Sequence, residues 1–294
     1  MKTLITILAV FAAAGAVCCG GPISTVDDLG RPIKLAGPPR RIISLEPSVT
    51  EVLYAVGCER RIVADDFYSD YPIAAKAKPH VNGVGPSREQ MLGLHPDLII
   101  LFDQTFTVQK ADEWQRTYGV PVYVTNGGTY KAVERDILQI GTLAVSRQRA
   151  NQVVKSMDDT LTSVTAAVAK QATPKVFVVV WNNPLMTAGR GTFIDDLIHL
   201  AGGVDVASAH VVGYPTYSPE QLVADDPDVI LTGTTGSVTL KQKVSSLSSL
   251  NLCAETSGFS FAVPDDWTVR PGPRLALGLE AIARVLHPKC FNQR

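Results

Sequence analysis

Apolar residues in the middle of the chain recur at intervals of three and four, the spacing of one face of an α-helix. The stretch is residues 146–171, which contain neither Pro nor Gly, and its apolar positions are Val153, Val154, Met157, Leu161, Val164 and Val168. At about 1.5 Å per residue this helix would be roughly 37 Å long, more than the width of a small lobe. We therefore predict a rigid helix, capped by Ser146, that links two parts of the protein.

Similar patterns flank this helix on both sides. Residues 87–101 and 218–232 each read Ser-x-Glu-Gln, then a short amphipathic segment, then Pro-Asp and an apolar run rich in β-branched residues. Each pattern predicts a helix that is capped by the Ser, with the Gln completing a capping box, and that leads into a buried strand. The repeated unit indicates two similar α/β lobes, which we place at residues 22–145 and 172–294.

Helical and extended patterns alternate along both lobes, which is typical of parallel sheets covered by helices on both faces. The predicted fold class is therefore α/β, with a central parallel sheet in each lobe and a hairpin near residues 26–35. Further predicted strands are 41–45, 62–64, 98–102, 120–124, 176–181, 229–231 and 259–263. Further predicted helices are 49–56, capped by Ser48, and 130–144, 192–200, 273–286 and a segment near 240–247.

The first 21 residues are predicted to be a signal peptide and not part of the fold. Lys2 precedes an apolar run at residues 4–17, which is too short to span a bilayer, and Cys18 and Cys19 follow. A Cys directly after such a run resembles the lipidation site of bacterial lipoproteins, and an ordinary secretory signal is the alternative. In both cases we expect a periplasmic or extracytoplasmic protein, and lipidation would give it its only contact with the membrane.

The composition, 46% hydrophobic and 19% charged residues, is that of a globular protein, and 294 residues suffice for two domains. The formal net charge of −1 argues against a nucleic-acid partner, and we expect a monomer. Cys58, Cys253 and Cys290 remain after the signal, so one of the three has no partner. We predict a disulfide between Cys253 and Cys290 because both lie in the second lobe.

Sequence signals of an enzyme are weak. The chain contains no GxGxxG, no phosphate-binding loop and no GxSxG, and no nucleophile stands beside a base. The five histidines are scattered, without the spacing of a metal site: His80, His95, His199, His210 and His287. We therefore expect no catalytic activity, cofactor or bound metal, and an exported α/β enzyme is kept as the alternative from another class.

Large aromatic residues stand where predicted strands end and loops begin. They are Tyr68, Phe102, Trp181, Tyr214 and Trp267, and both halves of the chain contribute. In parallel α/β sheets, ligands bind outside the carboxyl ends of the strands. The set therefore predicts a cleft between the lobes that holds a large flat ligand by stacking and apolar contact.

Glu89 and Glu220 occupy matching positions, each two residues after a capping Ser. One reading is that each carboxylate stabilises the positive end of its helix. The other is that both project from the lobe tips, so that the protein docks onto a partner with two basic sockets.

Residues 41–57, with the sequence RIISLEPSVTEVLYAVG, the YSDYP motif at 68–72 and EQMLGLHPDLIIL at 89–101 resemble the substrate-binding proteins of ABC importers for cobalamin, siderophores and haem. The resemblance covers nearly the whole chain after the signal. It implies two lobes, a rigid linking helix and a permease dimer as the partner. In that family the lobe-tip glutamates meet arginines of the permease, which implies this role for Glu89 and Glu220.

The cobalamin-binding members of this family offer further matches. Their YSDYP loop and their Asn-Pro and Thr-x-Gly loop are present here, and their Ser-Asp-Trp motif near the C-terminus resembles residues 265–267. Their ligand contacts carry over to Tyr68, Phe102 and Tyr214, and Asp266, Trp267 and Arg270 belong to the matched C-terminal motif. Asp266 would accept a hydrogen bond from the edge of a corrin ring.

The chain also departs from these members. Gly83 replaces a family Trp, Ala201 and Ala283 stand where the family has a disulfide, and Trp181 replaces a small residue. Haem and ferric siderophores therefore remain alternatives to cobalamin or another corrinoid. Haem would require an axial ligand such as His210 or Tyr214, and a siderophore would require arginines such as Arg190 and Arg270.

Overall fold

A long helix, α5 (Arg147–Val168), separates two parallel β-sheets in the computed structural model, which describes residues 21–233, 247, 250, 252, 254 and 259–291. The helix has 22 residues, so it is about 33 Å long and continuous, as the sequence predicted. Ser146 does not cap it: the Ser146 hydroxyl donates a hydrogen bond to the carbonyl of Val56 instead. The start of the helix is thereby attached to the first lobe.

The first lobe contains a five-stranded parallel sheet with the order β5-β4-β3-β6-β7, preceded by an antiparallel hairpin of β1 and β2. The strands are β1 (Ile23–Val26), β2 (Pro32–Leu35), β3 (Ile42–Ser44), β4 (Ile62–Asp66), β5 (His80–Val81), β6 (Leu98–Phe102) and β7 (Val122–Thr125). The helices are α1 (Pro47–Ala55), α2 (Arg88–Gly93), α3 (Val108–Tyr118) and α4 (Tyr130–Leu143).

The second lobe contains a four-stranded parallel sheet with the order β11-β8-β12-β13, and a short antiparallel pair, β9 and β10. The strands are β8 (Lys175–Val179), β9 (Trp181–Asn182), β10 (Leu185–Met186), β11 (Val204–Asp205), β12 (Val229–Gly233) and β13 (Ser260–Val263). The described helices are α6 (Phe193–Leu200), α7 (Pro219–Asp225), α8 (Asp265–Thr268), α9 (Leu275–Leu286) and α10 (Pro288–Phe291). The α/β fold class with two parallel sheets is confirmed.

Some local predictions were wrong. The strand predicted at 176–181 ends at Val179, because the Val180 amide bonds back to Met186 and the chain enters the β9–β10 turn. Ser48 does not cap α1, since the Glu46 carboxylate accepts the Ser48 amide at 2.6 Å and takes that role. The helix predicted near 240–247 lies outside the described residues, apart from the single position 247.

In the two repeated units, the predicted Ser caps form but the predicted capping boxes do not. Ser87 and Ser218 each accept the amide of the Gln three residues on, as N-caps do. Neither Gln closes a capping box: the Gln90 side chain donates to the carbonyl of His80 at 2.9 Å, and that of Gln221 donates to Asp225 at 3.0 Å. Both Gln side-chain amides therefore bond to other groups and not to the backbone at the start of the helix.

Of three buried hydrophobic clusters among the described residues, one extends through both lobes. Ile42 and Val52 of the first lobe, Met157 and Val164 of α5, and Leu279 of α9 belong to the same buried cluster. Because α5 buries its apolar stripe against both lobes, any change in their relative position would have to disturb close packing. The architecture therefore favours lobes that move little.

Two sequence predictions concern cysteines and membranes. Cys290 is a free thiol, so the disulfide predicted between it and Cys253 is not formed, and Cys253 itself lies outside the described residues. The predicted signal segment with Cys18 and Cys19 also lies outside them. Within the described ranges, no helix is both long enough and apolar enough to cross a bilayer.

Candidate functional site

Five of the predicted ligand residues lie at or just after the carboxyl ends of strands, whereas Tyr214, also predicted at a strand end, lies nine residues after β11. Tyr68 follows β4 by two residues, Phe102 is the last residue of β6, and Trp181 follows β8 by two. Asp266 and Trp267 belong to α8, which begins two residues after β13. Since parallel strands end at a common edge, the topology gathers these residues on one side of each sheet.

The aromatic rings differ in how far they are available to a ligand. Tyr68 is 75% exposed and Trp181 is 59% exposed, so both present large apolar surfaces to solvent. Phe102 and Trp267 are partly buried. Tyr214 packs against Phe193, with ring centroids 6.4 Å apart, and burial raises the pKa of its hydroxyl well above the usual value.

Arg270 connects the two lobes beside Tyr68. Its Nη1 lies 2.7 Å from Asp70 Oδ1 of the YSDYP loop, and its Nη2 donates to the Tyr68 carbonyl at 3.4 Å. Nη2 also lies 3.1 Å from Asp266 Oδ1 of its own lobe. Arg270 of the second lobe therefore holds the YSDYP loop of the first lobe, which carries Tyr68, by contacts between the lobes.

A second arginine, Arg274, makes the tighter contact. Its Nη2 lies 2.5 Å and its Nε 2.8 Å from the two carboxylate oxygens of Glu51, which is 3% exposed. Its guanidinium stands over the ring of Tyr71, 4.0 Å from the centroid, and its Nη1 lies 3.4 Å from Asp266. We call Glu51, Asp70, Asp266, Arg270 and Arg274 the interlobe cluster.

Sequence reasoning found two members of this cluster, Asp266 and Arg270, and missed Glu51, Asp70 and Arg274. Arg270 and Arg274 do not share a helix with Asp266, because α8 ends at Thr268 and α9 begins at Leu275, so no helical spacing could have shown that the three meet. Glu51 gave no signal either, because a carboxylate in an amphipathic helix is ordinarily a solvated residue.

Buried hydroxyls and carboxylates support the YSDYP loop from below. Ser69 donates to Asp66 at 2.6 Å, and the hydroxyls of Ser69, Thr50 and Ser44 are linked at 2.9 and 2.8 Å. Glu46 lies nearby at the start of α1, and burial raises its pKa to about 7. A fully hydrogen-bonded network of this kind holds the loop in one conformation.

Comparisons with known proteins place this architecture. Residues 42–248 match the family described as "Periplasmic binding protein". The chain belongs to this family. It is therefore an extracytoplasmic substrate-binding protein of the ABC-transporter class, with a permease and a small ligand as partners, and it is not an enzyme.

Individual relatives agree with this assignment. The chain is 26% identical to the uncharacterized ABC transporter substrate-binding lipoprotein YvrC of Bacillus subtilis, covering 92% of this chain and 88% of that one. It is 26% identical to the vitamin B12-binding protein of Yersinia pestis, over 83% and 85% of the two chains. The solved vitamin B12-binding protein BtuF of Vibrio cholerae superposes with a TM-score of 0.76 at 26% identity, covering 87% of this chain and 99% of that one.

The two glutamates predicted to dock a permease occupy matching positions in the two lobes. Glu89 and Glu220 are both exposed in the first turns of α2 and α7. Both helices begin at the cleft side, since each leads back to the amino end of the next strand. A hydrogen bond from the Ser218 hydroxyl lowers the pKa of Glu220, which keeps that carboxylate charged.

The residues predicted as haem or siderophore ligands are differently placed. His210 Nε2 lies 3.1 Å from Asp225 and 3.3 Å from the Gln221 amide, so neighbours within the second lobe occupy it. The Tyr214 hydroxyl is enclosed, and burial raises its pKa. Arg190 is exposed, and Arg270 is engaged by carboxylates.

Proposed function

We propose that this periplasmic binding protein captures cobalamin or a related corrinoid between its lobes and delivers it to an ABC permease. The observation that carries the proposal is the pair of exposed rings, Tyr68 and Trp181, at the strand ends of opposite lobes. Two such surfaces can contact a large flat ligand from both sides. The named cobalamin-binding relatives support the same ligand class.

The charges beside the rings favour a ligand whose contacting edge carries hydrogen-bond donors and no carboxylates. The interlobe cluster has three carboxylates, Glu51, Asp70 and Asp266, and two guanidinium groups, Arg270 and Arg274, all within 3.4 Å of a partner. Each arginine already faces two or three carboxylates, so neither is free for a haem propionate or an anionic siderophore. The amide groups at a corrin edge could instead donate to Asp266.

Direct binding measurements test the ligand. The purified protein is titrated with cyanocobalamin, haemin and a ferric hydroxamate, and calorimetry and absorption spectra are recorded. We expect saturable binding of cyanocobalamin. Binding of haemin alone, with a shifted Soret band, would overturn the corrinoid assignment and leave the family assignment intact.

Substitutions test the role of the rings. Tyr68→Ala and Trp181→Ala should each weaken corrinoid binding about tenfold or more, because each removes a large stacking surface. Phe259→Ala is a matched control: Phe259 is 51% exposed but precedes β13, at the opposite edge of the sheet. Equal effects of all three substitutions would contradict the placement of the ligand.

Charge reversal tests the docking role. Glu89→Arg with Glu220→Arg should leave ligand affinity unchanged and abolish uptake in cells that depend on this importer. Glu113→Arg, at an exposed position on α3, provides the control and should support normal uptake. A loss of ligand affinity in the double variant would place these residues in the binding site.

A further inference from the structure

The edge of the first lobe opposite the cleft carries a surface rich in basic side chains. Strand β3 begins there two residues after Arg40, β4 begins there directly after Arg61, and α5 begins there with Arg147. Six basic residues form this surface, which we call the basal patch: Lys34, Arg40, Arg60, Arg61, Arg147 and Arg149. Five of them are exposed and Arg61 is partly buried.

The members of the basal patch are neighbours in space. Lys34, Arg40 and Arg61 line one groove of about 1010 Å³, with walls that include Pro38, Pro96 and Pro121. Arg61 donates to the carbonyl of Ala144, at the end of α4, and the Arg149 guanidinium lies over Gly57. These contacts place Lys34, Arg40, Arg61 and Arg149 along one edge, between β2 and the start of α5.

Carboxylates are present at this edge but do not pair with the basic side chains. Asp97 lines the groove and accepts the backbone amides of Arg40 and Arg41, and Glu59 directly precedes Arg60. Within the described part of the chain, none of the six basic side chains forms an ion pair. Lys78 adds a further cation, since its ammonium is bound by the carbonyls of Glu59 and Ile62.

The N-terminal end of the fold emerges at the same edge. Strand β1 starts at Ile23, which pairs with Leu35, and Leu35 lines the groove with Lys34 and Arg40. Cys19 precedes Ile23 by four residues, a distance of at most about 14 Å even in fully extended chain. A lipid attached to Cys18 or Cys19 would therefore hold the basal patch within reach of the headgroups.

We infer that the basal patch binds an anionic phospholipid surface and that the resting protein lies on its membrane with the cleft directed outward. Exposed cations are attracted to such a surface over about one Debye length. The exposed Glu89 and Glu220 stand at the cleft edge, where the same surface would repel them. Delivery to a permease would then require the protein to leave this orientation. Salt weakens the attraction between exposed charges, so this binding to the membrane would be reversible.

Vesicle binding by the unlipidated protein, residues 21–294, tests the inference. We expect co-sedimentation with vesicles of phosphatidylcholine and phosphatidylglycerol at low salt, much less at high salt, and little with phosphatidylcholine alone. The triple variant Lys34→Glu, Arg40→Glu, Arg60→Glu should bind at least tenfold more weakly, since each cation near such a surface contributes about fivefold in affinity. Absence of binding to the anionic vesicles, or equal binding to neutral ones, would overturn the inference.

A matched triple variant separates this surface from overall charge. Lys76→Glu, Arg88→Glu and Lys110→Glu change the same number of exposed cations on the cleft half of the first lobe. This control should bind anionic vesicles within about threefold of the unmodified protein, and thermal unfolding should show both triple variants folded. An equal loss of vesicle binding in both variants would show that binding depends on net charge alone, and would refute a specific role for the basal patch.

Hydrogen exchange on the anionic vesicles tests the orientation. Protection is expected in residues 34–41 and 57–61, and none in the loops at 66–72 and 180–184. Protection of the cleft loops instead would show that the cleft faces the membrane and would overturn the proposed orientation.

Discussion

The Arg274 guanidinium of the second lobe grips the carboxylate of Glu51 in the first, with Nη2–Oε1 and Nε–Oε2 distances of 2.5 and 2.8 Å. The two residues are 223 positions apart in the sequence. Bidentate contacts of this kind are directional, so they define both the separation and the relative orientation of the two lobes. The packing of α5 against both lobes and the interlobe cluster thus both restrain the relative position of the lobes.

Removing the charge of Glu51 should destabilise the protein. In Glu51→Gln the arginines lose their most buried partner, and we expect the free energy of unfolding to fall by about 2–4 kcal/mol. Denaturant titration with two probes measures this. Lys155→Gln, which breaks the exposed pair with Asp159, is the control and should change stability by less than about 0.5 kcal/mol. An equally small change for Glu51→Gln would show that the cluster does not hold the lobes together.

Ligand binding should change the shape of the protein very little. The shared core and the interlobe cluster both oppose rotation of one lobe against the other, so a large hinge closure is not expected. Small-angle scattering with and without saturating cyanocobalamin should give radii of gyration within about 0.5 Å of each other. A clear decrease on binding would indicate a hinge and contradict the rigid architecture.

Gly278 should not tolerate a side chain. A Cβ at this position in α9 would lie 2.2 Å from the carbonyl oxygen of Trp267 in α8, so the two helices could not keep their present packing. Gly278→Ala should therefore destabilise the protein by about 1–3 kcal/mol and alter tryptophan fluorescence, although this exchange normally stabilises a helix.

Gly93→Ala provides the comparison for Gly278→Ala. Nothing lies within 4 Å of a Cβ at Gly93, which is also helical, so that variant should be neutral or slightly more stable in thermal unfolding. A neutral Gly278→Ala would show that α9 and the Trp267 segment can separate at little cost.

Asp205 should make stability depend on pH. Burial raises its folded-state pKa to about 7, from an ordinary value of 3.8, and its side chain is almost fully enclosed. The folded protein therefore retains a proton that the unfolded chain has lost, and stability falls as the pH rises from about 4 through 7. Between pH 5 and 8 this contribution should amount to about 2–3 kcal/mol.

Asp205→Asn isolates that contribution. Its Oδ1 can still accept the Ala207 amide, which the native carboxylate binds at 3.0 Å, but it has no proton to lose. Relative to the unmodified protein, the variant should gain stability as the pH is raised from 5 to 8. Unfolding curves at both pH values, with the exposed Asp159→Asn as control, measure the difference. A gain that is the same at both pH values would exclude a titrating Asp205.

Several elements were predictable because neighbouring residues encode them. The unbroken period of apolar residues predicted α5, and β6 was predicted at the residues where it lies. The Ser caps of α2 and α7 were likewise visible, because a capping hydroxyl bonds an amide only three residues away. The placement of Tyr68, Phe102 and Trp181 at strand ends followed from the parallel topology.

Other features depended on residues distant in sequence. Ser146 was expected to cap α5 but bonds to Val56, and Gln90 left its capping box for His80. In both cases the side chain bonds to a group from another element and not to the backbone of its own helix. Residue spacing along the sequence does not reveal such distant partners.

The order of apolar and polar positions thus determined the two α/β lobes, the rod between them and the edge where a ligand would be held, since these follow from periodicity and chain connectivity. Only the tertiary structure decided that Glu51 and Arg274 meet across the lobes, and that six cations gather opposite the cleft. The sequence gives the charge of each residue, but its neighbours and its exposure depend on how distant segments pack together.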